Sequence, residues 1–221
     1  MTIAQKRDRM SRIVSELEKI YPEAVCALEY GGEPWRLMVM ARLSAQCTDA
    51  RVNEVCRVLF DRFPTLDLLA EAPVEEIADI VRPCGLWKTK SDNIKSECIM
   101  LRDKYAGVIP DSMDELLKFP GIGRKIANLL LGDIYGKPAV VADTHCIRIC
   151  GRLGMYSTDV KDAFKVEKTM SALIEPQKQS DFCHRIVQFG RDVCTARSPM
   201  CEKCPLCEYC EYYIKNSKKN P

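Results

Sequence analysis

The sequence predicts an all-α fold, and three observations support this prediction. Almost every segment spaces its apolar residues by three and four, which is the period of a helix. Sustained strand-type alternation is absent, and the only β-favouring run is the short segment 139–142. The composition, 47% hydrophobic and 29% charged residues, is typical of a globular protein and excludes a disordered chain.

The helices follow from these apolar stripes and from residues that start or stop a helix. Pro22 ends the first helix, Pro34 suits the first turn of the second, and Thr48 is the predicted N-cap of the third. Asp111 or Ser112 is the predicted cap of a later one. We predict helices over residues 3–20, 34–45, 49–63, 66–71, 74–82, 88–105, 113–118, 124–135, 144–153, 160–174 and 180–192.

The length and the charge pattern limit the class of protein. A chain of 221 residues forms one large domain or two small ones, and the Gly136-Lys137-Pro138 step is the best boundary. No apolar stretch approaches ~18 residues and the N-terminus becomes charged at once, so we expect neither a membrane span nor a signal peptide, but a cytoplasmic protein. The net charge is only +2, so a nucleic-acid site would have to be built locally. The C-terminal Lys215, Lys218 and Lys219 add a weak cationic signal.

The segment 116–127 contains a helix end, a Pro-Gly-Ile-Gly turn and the start of a second helix. Gly121 and Gly123 allow positive φ and the close approach of another backbone. The amides of Ile122, Gly123 and Arg124 are expected to point outward at a helix N-terminus, where they suit a phosphate. This frame is typical of a helix-hairpin-helix that binds the DNA backbone without reading bases. The alternative is a plain αα turn with a solvated Arg-Lys pair.

Lys125 lies in the first turn of that second helix, where the dipole disfavours its charge by about 0.3–1 kcal/mol. A lysine must lose its proton to act as an amine nucleophile, and the dipole alone is too weak to remove it. The nucleophile hypothesis therefore requires Lys125 to line a partly desolvated pocket. The alternative is a surface lysine that binds phosphate.

Asp143 is a polar residue at the end of an apolar run and directly before helix 144–153. Its structural role would be the N-cap of that helix, which does not exclude a second role.

Five of the 13 cysteines form a cluster near the C-terminus, spaced Cys194-x6-Cys201-x2-Cys204-x2-Cys207-x2-Cys210. Such density predicts a metal site, and the spacing alone leaves both zinc and an iron–sulfur cluster open. The other eight cysteines lie mostly among apolar neighbours and are predicted to act as small buried hydrophobes.

Together these segments resemble the endonuclease III family of DNA glycosylases, in the helix-hairpin-helix Gly/Pro-Asp superfamily. The matching stretches, in the family's order, are Leu43-Ser-Ala-Gln-Cys-Thr-Asp49, Gly85-Leu-Trp-Lys-Thr-Lys90, Phe119-Pro-Gly-Ile-Gly-Arg-Lys125, Ala142-Asp-Thr-His145 and the cysteine cluster. The resemblance implies that Lys125 is the Schiff-base nucleophile and Asp143 the catalytic carboxylate. It also implies that Gln46 fills the gap left by an extruded base and that Leu86 wedges into the base stack.

The resemblance further implies a [4Fe–4S] cluster, held by Cys194, Cys201, Cys204 and Cys210, with Cys207 as a spare thiol. Arg191 and Arg197, before and within the cluster segment, could present basic groups to DNA. Three departures from the family pattern, none at a catalytic position, are Ala142 in place of the usual valine, Arg42 in a usually apolar stretch, and the additional Cys207.

The implied architecture has two helical domains that flank a DNA-binding cleft. One is a six-helix barrel with the helix-hairpin-helix, residues 27–137; the other combines residues 1–26 and 138–221 and carries the cluster. The predicted function is that of a bifunctional DNA glycosylase and AP lyase acting on oxidised pyrimidines. The expected partner is double-stranded DNA that contains damaged bases or abasic sites. We expect no association with a membrane, and a monomeric protein. The alternatives are a mismatch-type glycosylase and a non-catalytic helix-hairpin-helix module that only binds DNA.

Overall fold

The computed structural model describes residues 1–217, and every regular element within that range is helical. The predicted all-α class is therefore confirmed. The α-helices are α1 (Ile3–Ile20), α2 (Pro34–Leu43), α3 (Asp49–Arg62), α4 (Leu66–Glu71), α5 (Val74–Val81), α6 (Trp87–Tyr105), α7 (Met113–Leu116), α8 (Arg124–Tyr135), α9 (Thr144–Arg152), α10 (Ala163–Leu173), α11 (Gln179–Asp192) and α12 (Glu211–Ser217). Short 3-10 turns cover Arg82–Cys84, Pro176–Lys178, Cys201–Lys203 and Cys207–Tyr209.

Helix boundaries follow the capping residues. Thr48 caps α3 by accepting the Arg51 N–H at 3.3 Å, and of the two candidates before α7 it is Ser112 that caps. Helix α10 begins at Ala163 rather than at 160, because Asp162 caps it. The 3-10 turns and α12 were not predicted, since such short elements do not display a hydrophobic period.

The chain divides into two compact units, one of which is Cys26–Tyr135. Helix α2 forms its core, because Leu37, Met38, Val39 and Met40 are all at most 1% exposed. A helix that is apolar on all sides must be covered on all sides, and α3, α6 and α8 pack against it. Helices α4 and α5 pack on α6.

The second unit combines Met1–Val25 with Gly136–Pro221. Here α1 buries one stripe, formed by Met10, Ile13, Val14 and Leu17, as the sequence period predicts. Helices α10 and α11 pack against α1, and α9 packs against α11.

The predicted domain limits, 27–137 and the remainder, lie within two residues of these units. That the units are a barrel domain and a cluster-bearing domain stays a prediction. Six of the eight scattered cysteines are buried, as expected, while Cys26 and Cys47 are partly exposed.

Two further predictions concern membranes and the C-terminus. In the part of the chain that the structure describes, no helix is both long and apolar enough to cross a membrane. Lys215 lies in α12, and Lys218 and Lys219 lie outside the described residues.

Candidate active site and nucleic-acid interface

The turn between α7 and α8 is a tight hairpin that depends on Gly121. This glycine has φ +75°, and a Cβ there would lie 2.7 Å from the guanidinium carbon of Arg42. Gly123 lacks a positive φ, and a Cβ added to it would meet no atom within 4 Å. Of the two glycines that allow positive φ, only Gly121 adopts it.

The start of α8 presents fewer outward amides than the sequence predicts. The Ile122 N–H donates to the Phe119 carbonyl at 3.2 Å, and Ile122 is buried. The expectation that this amide points outward is therefore wrong. Gly123 acts as the N-cap, since its carbonyl accepts the Ala127 N–H at 3.0 Å. The helix start at Gly123 and Arg124 remains as the candidate anion site, because the first N–H groups of a helix have no partner within it.

Arg42, a departure from the family pattern, supports this hairpin from α2. Its Nη1 donates to the Gly121 carbonyl at 3.2 Å, so it fixes the turn that precedes the candidate phosphate site. The sequence does not reveal this contact, because the two residues are 79 positions apart.

Arg42 also acts electrostatically on Glu97, a fully buried residue of α6 whose two carboxylate oxygens have no hydrogen-bond partner within the described residues. Burial raises the pKa of Glu97 well above its ordinary value, and the positive charge of Arg42 opposes this shift.

Lys125 is the second residue of α8 and is exposed. The nucleophile hypothesis requires Lys125 to be partly desolvated. Within the described residues, the protein does not bury this side chain. Arg124, its neighbour, is exposed as well.

Asp143 is the N-cap of α9. Its Oδ1 accepts the Cys146 N–H at 2.7 Å, so the structural role inferred from sequence is confirmed. The side chain is half-buried, and the structure gives the second oxygen, Oδ2, no hydrogen-bond partner within the described residues. One oxygen thus orients the carboxylate while the other is available to a ligand. Asp143 and Lys125 belong to different units, and their predicted pairing stays a prediction.

Gln46 and Leu86 share an unusual backbone conformation. Both have left-handed φ values, 56° and 49°, although neither is glycine. Such a conformation costs an L-residue about 1–2 kcal/mol, and it tends to persist at functional sites. Both side chains are exposed, Leu86 to 59%, so burial of the side chain does not offset this cost.

Lys90, at the start of α6, is a buried charged residue that the sequence analysis missed. It is 1% exposed although it is a lysine. A signal was present, since Lys90 lies four residues before Ile94 and therefore on the apolar stripe of α6.

The five clustered cysteines line one small pocket, together with Arg152. Arg152 Nη1 donates to Cys194 Sγ at 3.3 Å and to the Thr195 carbonyl at 2.8 Å. Burial raises the pKa of the Cys204 thiol to about 11, while the Leu206 N–H, bonded to that thiol, opposes the shift. Cysteines with sulfur-directed N–H groups and an arginine beside them suit a group that carries negative charge on its sulfurs.

Among residues 1–217, no three His, Cys, Asp or Glu side chains converge on the position of a single metal ion. Arg191 and Arg197 are both exposed, the first in the last turn of α11 and the second between Cys194 and Cys201.

Comparison with known proteins identifies the family. The model of the HhH-GPD superfamily of base excision DNA repair proteins matches residues 39–176. Endonuclease III of Synechocystis sp. is 38% identical over 94% of each chain, and that of Bacillus subtilis is 37% identical over 93% of each. This chain belongs to the endonuclease III family. The resemblance inferred from the sequence motifs is thereby confirmed.

Solved structures of endonuclease III agree with this assignment. A non-covalent endonuclease III–DNA complex matches with a TM-score of 0.89 at 38% identity, over 99% of both chains. A trapped covalent endonuclease III–DNA intermediate matches with the same score at 39% identity, over 98% of this chain and 99% of the other. A thermostable thymine-DNA glycosylase, at 21% identity and a TM-score of 0.84, shares the fold.

Proposed function

We propose that this member of the endonuclease III family is a bifunctional DNA glycosylase and AP lyase that removes oxidised pyrimidines from double-stranded DNA in base excision repair. The observation that carries the proposal is the exposed Lys125, which directly follows the helix-hairpin-helix turn in a family whose relatives include a trapped covalent enzyme–DNA intermediate. A lysine alone could bind phosphate, but a module that only binds DNA does not need both Lys125 and Asp143.

Binding begins at the hairpin. The helix start at Gly123 and Arg124 accepts a backbone phosphate, which positions the enzyme on the duplex without sequence preference. Exposed Arg191 and Arg197 are proposed to make further phosphate contacts. An oxidised pyrimidine stacks and pairs poorly, so its extrusion costs less than the few kcal/mol needed for a normal base. Gln46 then enters the gap and Leu86 wedges into the stack.

The chemistry uses the Lys125 amine. The neutral amine attacks C1′ of the extruded nucleotide, the bond from C1′ to the base nitrogen breaks, and the base leaves with a proton. The bond from C1′ to the ring oxygen O4′ then breaks and O4′ takes up a proton, which opens the sugar ring and leaves a protonated imine between Nζ and C1′. This imine acidifies the C2′ hydrogen. Loss of that proton and rupture of the bond from C3′ to its oxygen release the 3′ phosphate by β-elimination.

Asp143 supports this step with Oδ2, while Oδ1 remains on the Cys146 N–H. Its carboxylate accepts the proton that Lys125 must lose and stabilises the positive charge that develops on the sugar. Because Lys125 is exposed in the protein itself, we propose that DNA lying over the side chain supplies the desolvation that the mechanism requires.

The cysteine pocket is proposed to hold a [4Fe–4S] cluster through Cys194, Cys201, Cys204 and Cys210. The bound cluster would supply rigidity to a segment with few buried side chains of its own. The donor set fits, since the pocket gathers the thiols, and N–H groups and Arg152 approach the sulfurs. Visible absorption and iron content test the assignment: zinc without inorganic sulfide contradicts it, and Cys207→Ser should retain the colour.

Borohydride trapping on DNA with one abasic site tests the enzymatic proposal. Wild-type protein should form a covalent adduct, and Lys125→Gln should form none. Absence of an adduct with the wild type would contradict the lyase mechanism and favour a mismatch-type glycosylase or a binding module. An adduct formed by Lys125→Gln would contradict the role of Lys125, because another amine would then form the Schiff base. We further propose that the enzyme acts as a monomer in the cytoplasm, on the nucleoid if the organism is bacterial.

A further inference from the structure

The side chain of Lys90 ends in a fully satisfied, buried ammonium group. Its Nζ donates to the carbonyls of Leu43 at 2.8 Å, Ala45 at 2.7 Å and Cys84 at 2.8 Å. An ammonium has three N–H donors and a neutral amine has two, so three short contacts to carbonyls require the protonated form. Burial lowers the pKa of Lys90, and the three carbonyl oxygens stabilise its charge.

The three carbonyls lie at the C-terminal ends of two helical segments. Leu43 is the last residue of α2, Ala45 follows it by two residues, and Cys84 ends the 3-10 turn Arg82–Cys84. Carbonyls at a helix C-terminus have no partner within the helix, and a cation is favourable there. Lys90 therefore caps two helix ends at once.

Each of these helix ends is followed within two residues by a non-glycine residue with left-handed φ. Gln46 and Leu86 are two of three such residues in the described part of the chain, and the third, Ala106, lies at the C-terminal end of α6. Gln46 follows Ala45, and Leu86 lies two residues after Cys84. Their left-handed backbones are not compensated by burial of their side chains, which are exposed. A strained backbone persists only where the surrounding structure holds it. The hydrogen bonds from Lys90 to the Ala45 and Cys84 carbonyls hold the chain just before both residues.

We propose that Lys90 is a positioning residue, whose buried ammonium holds the Gln46 loop and the Leu86 loop together and so preorganises both side chains for insertion into DNA. This inference rests on the proposed function, because it assigns Lys90 to the step that opens the base stack. Lys90 itself is buried and does not touch the substrate. Its effect is therefore specific to substrates whose bases must be unstacked.

The test compares two substrates with the full-length holoenzyme: a duplex containing one thymine glycol, and a single-stranded oligonucleotide containing one abasic site. Lys90→Met should lower the single-turnover rate on the duplex about 100-fold, as expected for misplaced positioning groups. Trapping on the single strand, where no stack has to open, should stay within about twofold of wild type. An equal loss on both substrates, or no loss on either, overturns the proposal.

Lys95→Met is the matched control. Lys95 also lies in α6 and also donates from Nζ to a backbone carbonyl, that of Ala72 at 2.7 Å, but this carbonyl belongs to neither loop. The substitution removes the same charge, and both rates should stay within about twofold of wild type. If instead the wild type forms no adduct with either substrate, the proposed function fails, which is a different outcome from failure of the Lys90 proposal.

A double-mutant cycle shows whether Lys90 acts through the two loops. In a Gln46→Ala, Leu86→Ala background, adding Lys90→Met should change the duplex rate by no more than about twofold. A further loss of about 100-fold in that background would overturn the positioning role.

Hydrogen exchange on the wild type provides a test that does not depend on a folded variant. The Cys47 N–H donates to the Ser44 carbonyl and the Gly85 N–H to the Arg82 carbonyl, one in each loop. Both amides should be protected in the DNA-free protein. Exchange at the rate of an unfolded chain until DNA is added would overturn the preorganisation.

Discussion

The starts of helices α8 and α9 carry the two proposed catalytic residues, and they are built in opposite ways. At α9, Asp143 caps the helix with its own carboxylate, where the dipole favours a negative charge. At α8, the cap is Gly123, which has no side chain to offer, and Lys125 lies where the dipole disfavours its charge. The capped start holds an acid in one orientation, whereas the glycine at the other start brings no carboxylate that would compete with an anion there.

This contrast suggests that the two helix starts have different roles in the reaction. A residue that must keep its charge and direction benefits from bonds to the backbone, and Asp143 has one through Oδ1. A residue that must become neutral and reach a carbon atom benefits from few bonds and from an unfavourable local potential. Substitutions that alter one helix start at a time can separate the two roles.

The largest effect is expected at Asp143. Asp143→Asn retains an oxygen that can cap α9 but removes the charge, so the single-turnover glycosylase rate should fall about 10²–10⁴-fold. The unfolding free energy should change by less than about 1 kcal/mol, whereas Asp143→Ala should lose activity and a further ~1 kcal/mol of stability. Rapid-quench kinetics and urea unfolding measure the two effects. Full activity of Asp143→Asn would show that the residue is only a cap.

Arg42, which bonds the hairpin before α8, also acts on the buried Glu97, and Glu97 predicts a pH dependence of stability. Burial raises the pKa of Glu97 above the ordinary 4.5, so the native state keeps a proton that the unfolded chain loses. The native state therefore binds more protons than the unfolded chain. Its stability falls as the pH rises from the pKa of Glu97 in the unfolded chain to the higher pKa of Glu97 in the folded protein, by at most about 1.4 kcal/mol per pH unit.

Glu97→Gln removes this ionisation while preserving the shape of the side chain. Urea unfolding between about pH 5 and pH 8 should therefore show a wild type that loses stability relative to Glu97→Gln as pH rises. Parallel pH profiles for the two proteins would contradict the inferred protonation.

A smaller loss of stability is expected from Gly121→Ala. The substitution forces a left-handed backbone on alanine and displaces the Arg42 guanidinium, at a cost of about 1–2 kcal/mol. Gly123→Ala is the matched control, since that position has open space and no positive φ, and it should cost less than about 1 kcal/mol. Thermal unfolding measures both, and equal losses would refute the special role of Gly121.

The smallest expected effect comes from making the α8 start resemble that of α9. Gly123→Asp adds a carboxylate cap and should stabilise the protein by up to about 1 kcal/mol. The same carboxylate repels phosphate, so affinity for undamaged duplex DNA should fall about tenfold, in fluorescence anisotropy at fixed salt. Gly123→Asn supplies a cap without the charge, and an equal loss of affinity there would assign the effect to size rather than to charge.

The sequence alone predicted those features that depend on residues close together in the chain. Helix periods, the Thr48 cap, the hairpin turn and the cysteine spacing are local patterns, and they predicted the all-α fold and the family. The same local reasoning placed Asp143 as a cap, because capping joins residues three positions apart.

Only the tertiary structure decided which distant groups meet. The carbonyls that Lys90 holds in the α2 loop lie 45 and 47 positions from it, and the Gly121 carbonyl lies 79 positions from Arg42. It also decided that the Ile122 amide is used by Phe119 and that Lys125 is exposed. The physical reason is that an ammonium or guanidinium on a long side chain can bond to any carbonyl that the packing brings within reach, and residue order does not encode that distance.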